Sequence, residues 1–167
     1  SATMFPKNVA SLFEEIRKGS PFPFAWLGTG EGRVRTVRMA GFNLQQGRWY
    51  VTTHRRHAKV EQIRQFPRGE LCLMELSGPL QLRLRSQLGW LGPDREAMRE
   101  SLWRKVPGQD RWRFYGSEPG LLTPAKDFLV LEGVVEEIDY LDLRPEYPVR
   151  RGYLKRGEDW VEEERLA

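Results

Sequence analysis

In the stretch VTTHRRHAKVEQI, Val51 to Ile63, two threonines close an apolar-alternating run. Arg55, Arg56, His57 and Lys59 then crowd against the start of an amphipathic pattern. Cations oppose the dipole at a helix N-terminus, where unpaired N–H groups already carry partial positive charge. The cluster therefore suits an anion that the polypeptide does not supply. A phosphate matches the chemistry: amides point at it, Thr52 and Thr53 offer hydroxyls, and arginine grips it in bidentate fashion. A solvated basic surface accounts for the same residues equally well from composition alone. Further basic positions are Arg33, Arg35 and Arg38 on one predicted strand and, beside Gln81, Arg83 and Arg85 on the polar face of another. Arg150 and Arg151 stand near a C-terminal hairpin.

Other chemistries find less support. GTGEG, Gly28 to Gly32, has neither dinucleotide nor phosphate-loop spacing and opens no predicted helix. His54 and His57 are the only histidines, and no nearby Cys, Asp or Glu completes a metal site around them. No nucleophile-elbow pattern supports a Ser-His-acid triad. VEEER, near the C-terminus, reads as a solvated strand face and not as paired catalytic carboxylates. Nucleic acid is a weaker candidate than phosphate. The six Trp, five Tyr and eight Phe mostly occupy apolar positions and do not alternate with the arginines as a stacking platform would.

The totals describe an ordinary globular chain. With 167 residues, one domain spanning 1–167 is expected, long enough for a proper core. Hydrophobic residues make up 40% and charged residues 30%, the formal charge is +4, and the pI is about 9.4. The single cysteine, Cys72 in ELCLMEL, excludes a disulfide within the chain, fits a reducing compartment, and reads as a buried, inert core thiol. No apolar run approaches the ~20 residues that span a bilayer, and the N-terminus has no signal-peptide core, so a cytoplasmic location is expected. Ser1 to Thr3 read as residues added for expression.

The elements that must position the basic residues follow from periodicity. PKNVASLFEEIRKG places Val9, Leu12, Phe13 and Ile16 at helical spacing. FPFAWLGT and GRVRTVRMAGF read as strands, the second setting Val34, Thr36 and Arg38 against Arg35, Val37 and Met39. LQQG is a hairpin turn leading to RWYVTT. AKVEQIRQF is a short helix with Val60, Ile63 and Phe66 on one side, stopped by Pro67. GELCLMEL and PLQLRLRSQL form two strands joined at Ser77-Gly78-Pro79. GPDREAMRESLWRKV is a helix, and a helical turn follows at Asp110 to Tyr115. DFLVLEGVVEEIDYLDL is a long strand before a terminal hairpin. Six or seven antiparallel strands with two or three helices predict an α+β, mostly β domain of barrel type.

The order of these pieces resembles the pyridoxamine 5'-phosphate oxidase-like family of FMN-binding split barrels. The matching positions are Arg35, Val37, Met39, Thr52, Thr53, Lys59, Gln62, Ile63, Pro67 and Gln81. The later LWRKVPGQDRWRFYGSEPG and VRRGYLKRGEDW also look like one branch of the family. The resemblance covers nearly the whole chain from about Phe22. It implies an antiparallel split barrel, a homodimer with FMN at the subunit interface, and oxidoreductase chemistry on a small molecule. By that analogy Arg35 and Lys59 hold the phosphate, with Arg56 and His57 nearby. Thr52 and Thr53 meet the flavin or its ribityl chain beside Val37, and Gln81 bonds the ring edge. Ser117 and Arg150 approach from the partner subunit. The sequence departs from the family where Ala40 replaces a substrate-phosphate lysine, His57 a serine and Leu141 a tryptophan. RPEYPVRRGY also lacks the Arg-x-His substrate pair. Flavin binding therefore carries over better than the vitamin B6 reaction. A flavin-, haem- or deazaflavin-binding barrel without turnover is the alternative.

Overall fold

A computed structural model describes residues 4–19, 24–75 and 77–165. In chain order the elements are α1 (Lys7–Gly19), β1 (Phe24–Thr29), β2 (Arg33–Asn43), β3 (Arg48–His54), α2 (Ala58–Gln65), β4 (Arg68–Met74) and β5 (Leu80–Trp90). There follow α3 (Glu96–Lys105), α4 (Gly108–Tyr115), β6 (Phe128–Asp142), β7 (Val149–Arg156) and β8 (Asp159–Glu164), with short 3-10 turns at Gly30–Gly32 and Pro93–Arg95. Among the described residues this gives eight strands and four α-helices, more than the six or seven and two or three expected.

The strands run antiparallel in the order β3-β2-β1-β4-β5-β6-β7-β8, and β3 also pairs with β6. That second pairing closes six strands into a barrel and leaves β7 and β8 as an extension. The expected split barrel is therefore the architecture found. Strand β6 is long enough to serve both parts. Phe128 to Val134 pair with β3, whereas Glu137 to Asp142 pair with β7. Between them Arg85 of β5 faces Glu137 and Ser86 faces Val135, so Glu136 is one residue too many for the ladder. Such a bulge bends and twists the strand, which suits the point where β6 leaves the barrel.

Period-two patterning decides what lies inside. On β2, Val37 and Met39 are buried while Val34, Thr36 and Arg38 are exposed. Leu71 and Leu73 of β4 and Leu80, Leu82, Leu84 and Leu88 of β5 join them in the barrel core, which α1 covers with Val9, Leu12, Phe13 and Ile16. A second, smaller core lies outside the barrel wall, where Leu102 and Trp103 of α3 pack on Tyr50, Phe128 and Val130. It fixes α3 and α4 against the outer face of β3 and β6.

Two expectations need correction. Phe66 is 49% exposed and does not join Val60 and Ile63, because α2 ends at Gln65 ahead of Pro67. Cys72 is half-buried outside the core: Leu71 and Leu73 point inward, so Cys72 must face out, opposite Arg83. Burial, with Glu70 adding to it, pushes the Cys72 thiol up, so it stays protonated at neutral pH.

The barrel core contains one tightly specified contact. Trp49 and Gly133 are cross-strand partners, and a Cβ on Gly133 would come within 2.0 Å of the Trp49 ring. The indole Nε1–H donates to Ser86 Oγ at 2.8 Å, and that hydroxyl donates to the Leu84 carbonyl at 3.0 Å. Gly133→Ala is expected to destabilise the fold by about 1–3 kcal/mol or more through overpacking. Ser86→Ala, which leaves a buried N–H unsatisfied, should cost about 1–3 kcal/mol. Urea midpoints with unchanged m-values check both; a silent Gly133→Ala would contradict the wedge.

Candidate anion-binding cleft

The geometry starts where β3 hands over to α2. After His54 the chain turns sharply, with the His57 N–H donating to the His54 carbonyl at 3.0 Å. The Arg56 N–H donates to His54 Nδ1 at the same distance. His57 is extended (φ −66°, ψ 136°) and gives α2 no side-chain cap; of the first-turn amides, the Val60 N–H donates to the His57 carbonyl at 3.0 Å. Thr53, one residue before His54, keeps a buried hydroxyl without a partner.

Strand β2 brings the next cation. Arg35 points to the barrel end that α2 covers, and its Nη2 donates to Gln62 Oε1 at 2.6 Å. Its Nε is buried without a partner. Gln62 lies three residues beyond Lys59 on α2, so this bond ties Arg35 to the helix that carries Lys59. Lys59 is only 8% exposed, and its ammonium makes no ion pair or hydrogen bond among the described residues. Burial first, and then Arg35, lower its pKa to about 8. His57 is also held below its ordinary value by burial, then by Lys59, His54 and Arg35. Burial and Arg33 lower Arg35 as well. The cations thus destabilise one another, and no acid among the described residues relieves Arg35, His57 or Lys59.

This cluster opens into a cleft of about 890 Å³. Residues Thr36 to Ala40 of β2, Thr52 to His54 of β3, and Arg56, His57 and Lys59 form one side, with Phe24 at the edge. The facing wall comes from α3, α4 and their connection: Leu102, Lys105, Val106, Pro107, Asp110, Phe114 and Tyr115. His54 stacks on Tyr115 with ring centroids 5.6 Å apart, joining the two walls. Burial pushes the Tyr115 hydroxyl up to about 12, so it remains a donor. Asp110 is the single carboxylate in the lining, and Arg38 lies 3.7 Å from it. Asp127 approaches His54 Nε2 at 3.6 Å and Arg55 Nε at 3.8 Å, drawing Arg55 aside from the cluster.

Of the ten residues singled out from the sequence, Val37, Thr52, Thr53, Arg56, His57 and Lys59 line this cleft, and Arg35 adjoins it through Gln62. Gln81, Ser117 and Arg150 do not line it. Gln81 faces outward on β5, opposite Met74 and Leu141. Arg150 of β7 donates from Nε to Asp139 Oδ1 at 3.3 Å, on a carboxylate shared with Arg83 at 2.9 Å. Ser117 follows Gly116, whose left-handed conformation (φ 65°) ends α4, two residues past Tyr115. Sequence reasoning omitted the far wall of Lys105, Pro107, Asp110, Phe114 and Tyr115. No periodicity in the sequence signals it; the structure shows Phe114 60% exposed on a short helix, an aromatic with no core to enter.

No family model matches this sequence. No curated protein matches it either. Solved structures do. A pyridoxamine 5'-phosphate oxidase-related, FMN-binding protein from Nostoc punctiforme superposes with a TM-score of 0.79 at 23% identity, covering 93% of each chain. PhzG from Burkholderia lata, in complex with tetrahydrophenazine-1-carboxylic acid, gives 0.75 at 14% identity over 96% of this chain and 91% of that one. A FAD-binding protein from Mesorhizobium loti gives 0.54 at 16%, covering 75% and 90%. The barrel is thus the fold of the pyridoxamine 5'-phosphate oxidase-like proteins, as the sequence resemblance implied.

Lys59 gives the cleft a stability signature. Its folded pKa, about 8, lies below the ordinary 10.5, so between these values the unfolded chain binds more protons and stability rises with pH. Below about 8 both states are protonated and the burial penalty is present in full. Lys59→Met should therefore fold more stably than the parent at neutral pH, by roughly 1–3 kcal/mol, with the gain shrinking above about pH 8. Denaturation series across that range check the trend; a pH-independent difference would contradict it.

Proposed function

We propose that the chain is a flavin-dependent oxidoreductase that holds FMN in this cleft by its phosphate. The observation that carries the reading is the pairing of Lys59 with Arg35. The buried Lys59 and the half-buried Arg35 repel one another with no carboxylate of the described residues between them, beside an opening large enough for a cofactor. A phosphate dianion would reverse the sign of that repulsion and convert two destabilised cations into charge-assisted donors. The buried, unpartnered Thr53 hydroxyl and the uncapped start of α2 add donors of the kind a phosphate takes.

In this reading Arg35 and Lys59 grip the phosphate and Arg56 and His57 flank it. Thr52 and Thr53 meet the ribityl chain or the ring, and Val37 and Met39 lie beside them on β2. The flavin ring, when bound, supplies the hydride or electron-transfer chemistry. The protein's share is to bind and orient the cofactor and to exclude water, with the Tyr115 hydroxyl kept protonated at the far wall. The Nostoc protein's description as FMN-binding and the Mesorhizobium protein's as FAD-binding support a flavin. The small organic acid described with PhzG supports a small-molecule substrate.

Gln81 and Arg150 fit this reading through a homodimer. Both lie on the outer face of the sheet, each two strands from the cleft: Gln81 from Phe24 through β4, and Arg150 from the Thr52 to His54 edge of β3 through β6. At the usual strand spacing that is roughly 10 Å in each case. A second copy packed across the cleft would supply them, together with Ser117, to a ring standing out from the first. Among the described residues no helix is long and apolar enough to cross a membrane. We take the protein to work in the cytoplasm.

The test is the double variant Arg35→Ala/Lys59→Ala. It should lose about a hundredfold or more in FMN affinity, the worth of two charge-assisted contacts, and keep the far-ultraviolet circular dichroism of the parent. Absorbance in the flavin bands, titrated with FMN, gives the result. Unchanged occupancy in a folded double variant sinks the assignment.

A further inference from the structure

The corner at Lys59 contains a primary amine as well as guanidinium groups. An arginine there would bind an anion and do nothing else, whereas an amine is also a nucleophile once it loses its proton. Protonation and ion pairing normally mask lysines, and both are weakened at this one. Among the described residues, the charged or titratable groups on Lys59's own side of the cleft are cationic or neutral: Arg35 and Arg38 from β2, His54 from β3, Arg56 and His57 from the turn. Across the cleft stand Lys105, the protonated Tyr115 and Asp110, the last engaged by Arg38. With a pKa of about 8, roughly a fifth of Lys59 is neutral near pH 7.4, against roughly a thousandth of an ordinary lysine.

We infer that Lys59 is a site of acyl transfer from acyl phosphates: the cations around it dock the phosphate end, and its amine accepts the acyl group. The neutral Nζ attacks the carbonyl carbon, a C–N bond forms, and the bond from that carbon to the phosphate oxygen breaks. The departing phosphate takes the amine proton and leaves as hydrogen phosphate, so no further reactant is needed. The cleft, at about 890 Å³, has ample room for so small a donor. The product is an amide where a cation stood. Acylation would remove one of the two closest phosphate ligands and lower the affinity of the cleft for any phosphate-bearing cofactor. The inference rests on the phosphate half of the proposed function and is independent of whether the cofactor is a flavin.

The experiment treats the intact chain, free of bound flavin by its absorbance, with acetyl phosphate and maps acetyl-lysine by peptide mass spectrometry. Lys59 should react at least ~10-fold faster than the exposed Lys7, Lys18 and Lys126, with a rate that climbs to a plateau above about pH 8. Inorganic phosphate should slow Lys59 without slowing the surface lysines. Arg35→Ala should slow acetyl phosphate at Lys59 at least ~5-fold more than it slows acetic anhydride, which has no phosphate to dock. Should that variant misfold, phosphate competition on the parent chain tests the same docking step. Equal rates at Lys59 and the surface, absent competition, or equal slowing of both reagents would each overturn the proposal. A separate FMN titration keeps the two readings apart: acetylation at Lys59 without flavin binding would remove the cofactor and leave this site.

Discussion

Like charges forced together at the edge of a barrel are the constraint around which the site is arranged. Lys59 and Arg35 belong to different elements, α2 and β2, and each would be more stable in water. They stay because neighbouring interactions over-determine their positions. Val60 and Ile63 bury α2 against the barrel end, and Gln62 of the same helix fastens the Arg35 fork. The helix is thus anchored by its apolar face while its N-terminal turn carries the strain. A site that is electrostatically unfavourable when empty favours an anion, because part of the binding free energy comes from relief of repulsion.

The second core gives the site its other wall. Trp103 stacks edge-on against Phe128 and Tyr115, and its indole N–H donates to the Leu121 carbonyl at 2.9 Å. Arg111 is buried and donates to the carbonyls of Pro119 and Arg104, locking α4 to the loop that follows it. These contacts set the distance between α4 and β3, and with it the width of the cleft. Barrel and outer layer are therefore not independent: His54 ends β3, accepts the hydrogen bond that shapes the cationic turn, and stacks on Tyr115.

Much of this was legible in the residues. The alternation of β2 and β5 and the helical spacing of α1 identify the inward faces, because period is a local property. The grouping of Thr52, Thr53, Arg56, His57 and Lys59 was legible for the same reason, since they are neighbours in the chain. Arg35 was legible as one of three arginines on a strand, but its phosphate role came only through the family resemblance, because its place beside Lys59 depends on strand pairing. Less local facts were harder. Cys72 sits in a run apolar on both parities, so its outward direction depends on which neighbours the barrel buries. Gln81 could be placed on a polar strand face and Arg150 near the terminal hairpin, but their distance from the cleft depends on how β3 closes on β6. The far wall rests on packing between α3, α4 and the outside of the sheet, which no periodicity encodes.

Closure of the six strands has one further consequence. Among the described residues β8 alone has a strand on a single side, since β3, at the other end of the order, is taken up by β6. That margin carries Asp159, Glu162, Glu163 and Glu164 within six residues. A chain approaching to extend the sheet would bring its own ladder against this acidic row, and two copies would meet anion to anion. Arg151 offsets Glu162 and Arg165 offsets Glu163. Asp159 and Glu164 carry the remaining repulsion, which guards this margin, the one open edge among the described residues, against templating fibrous growth.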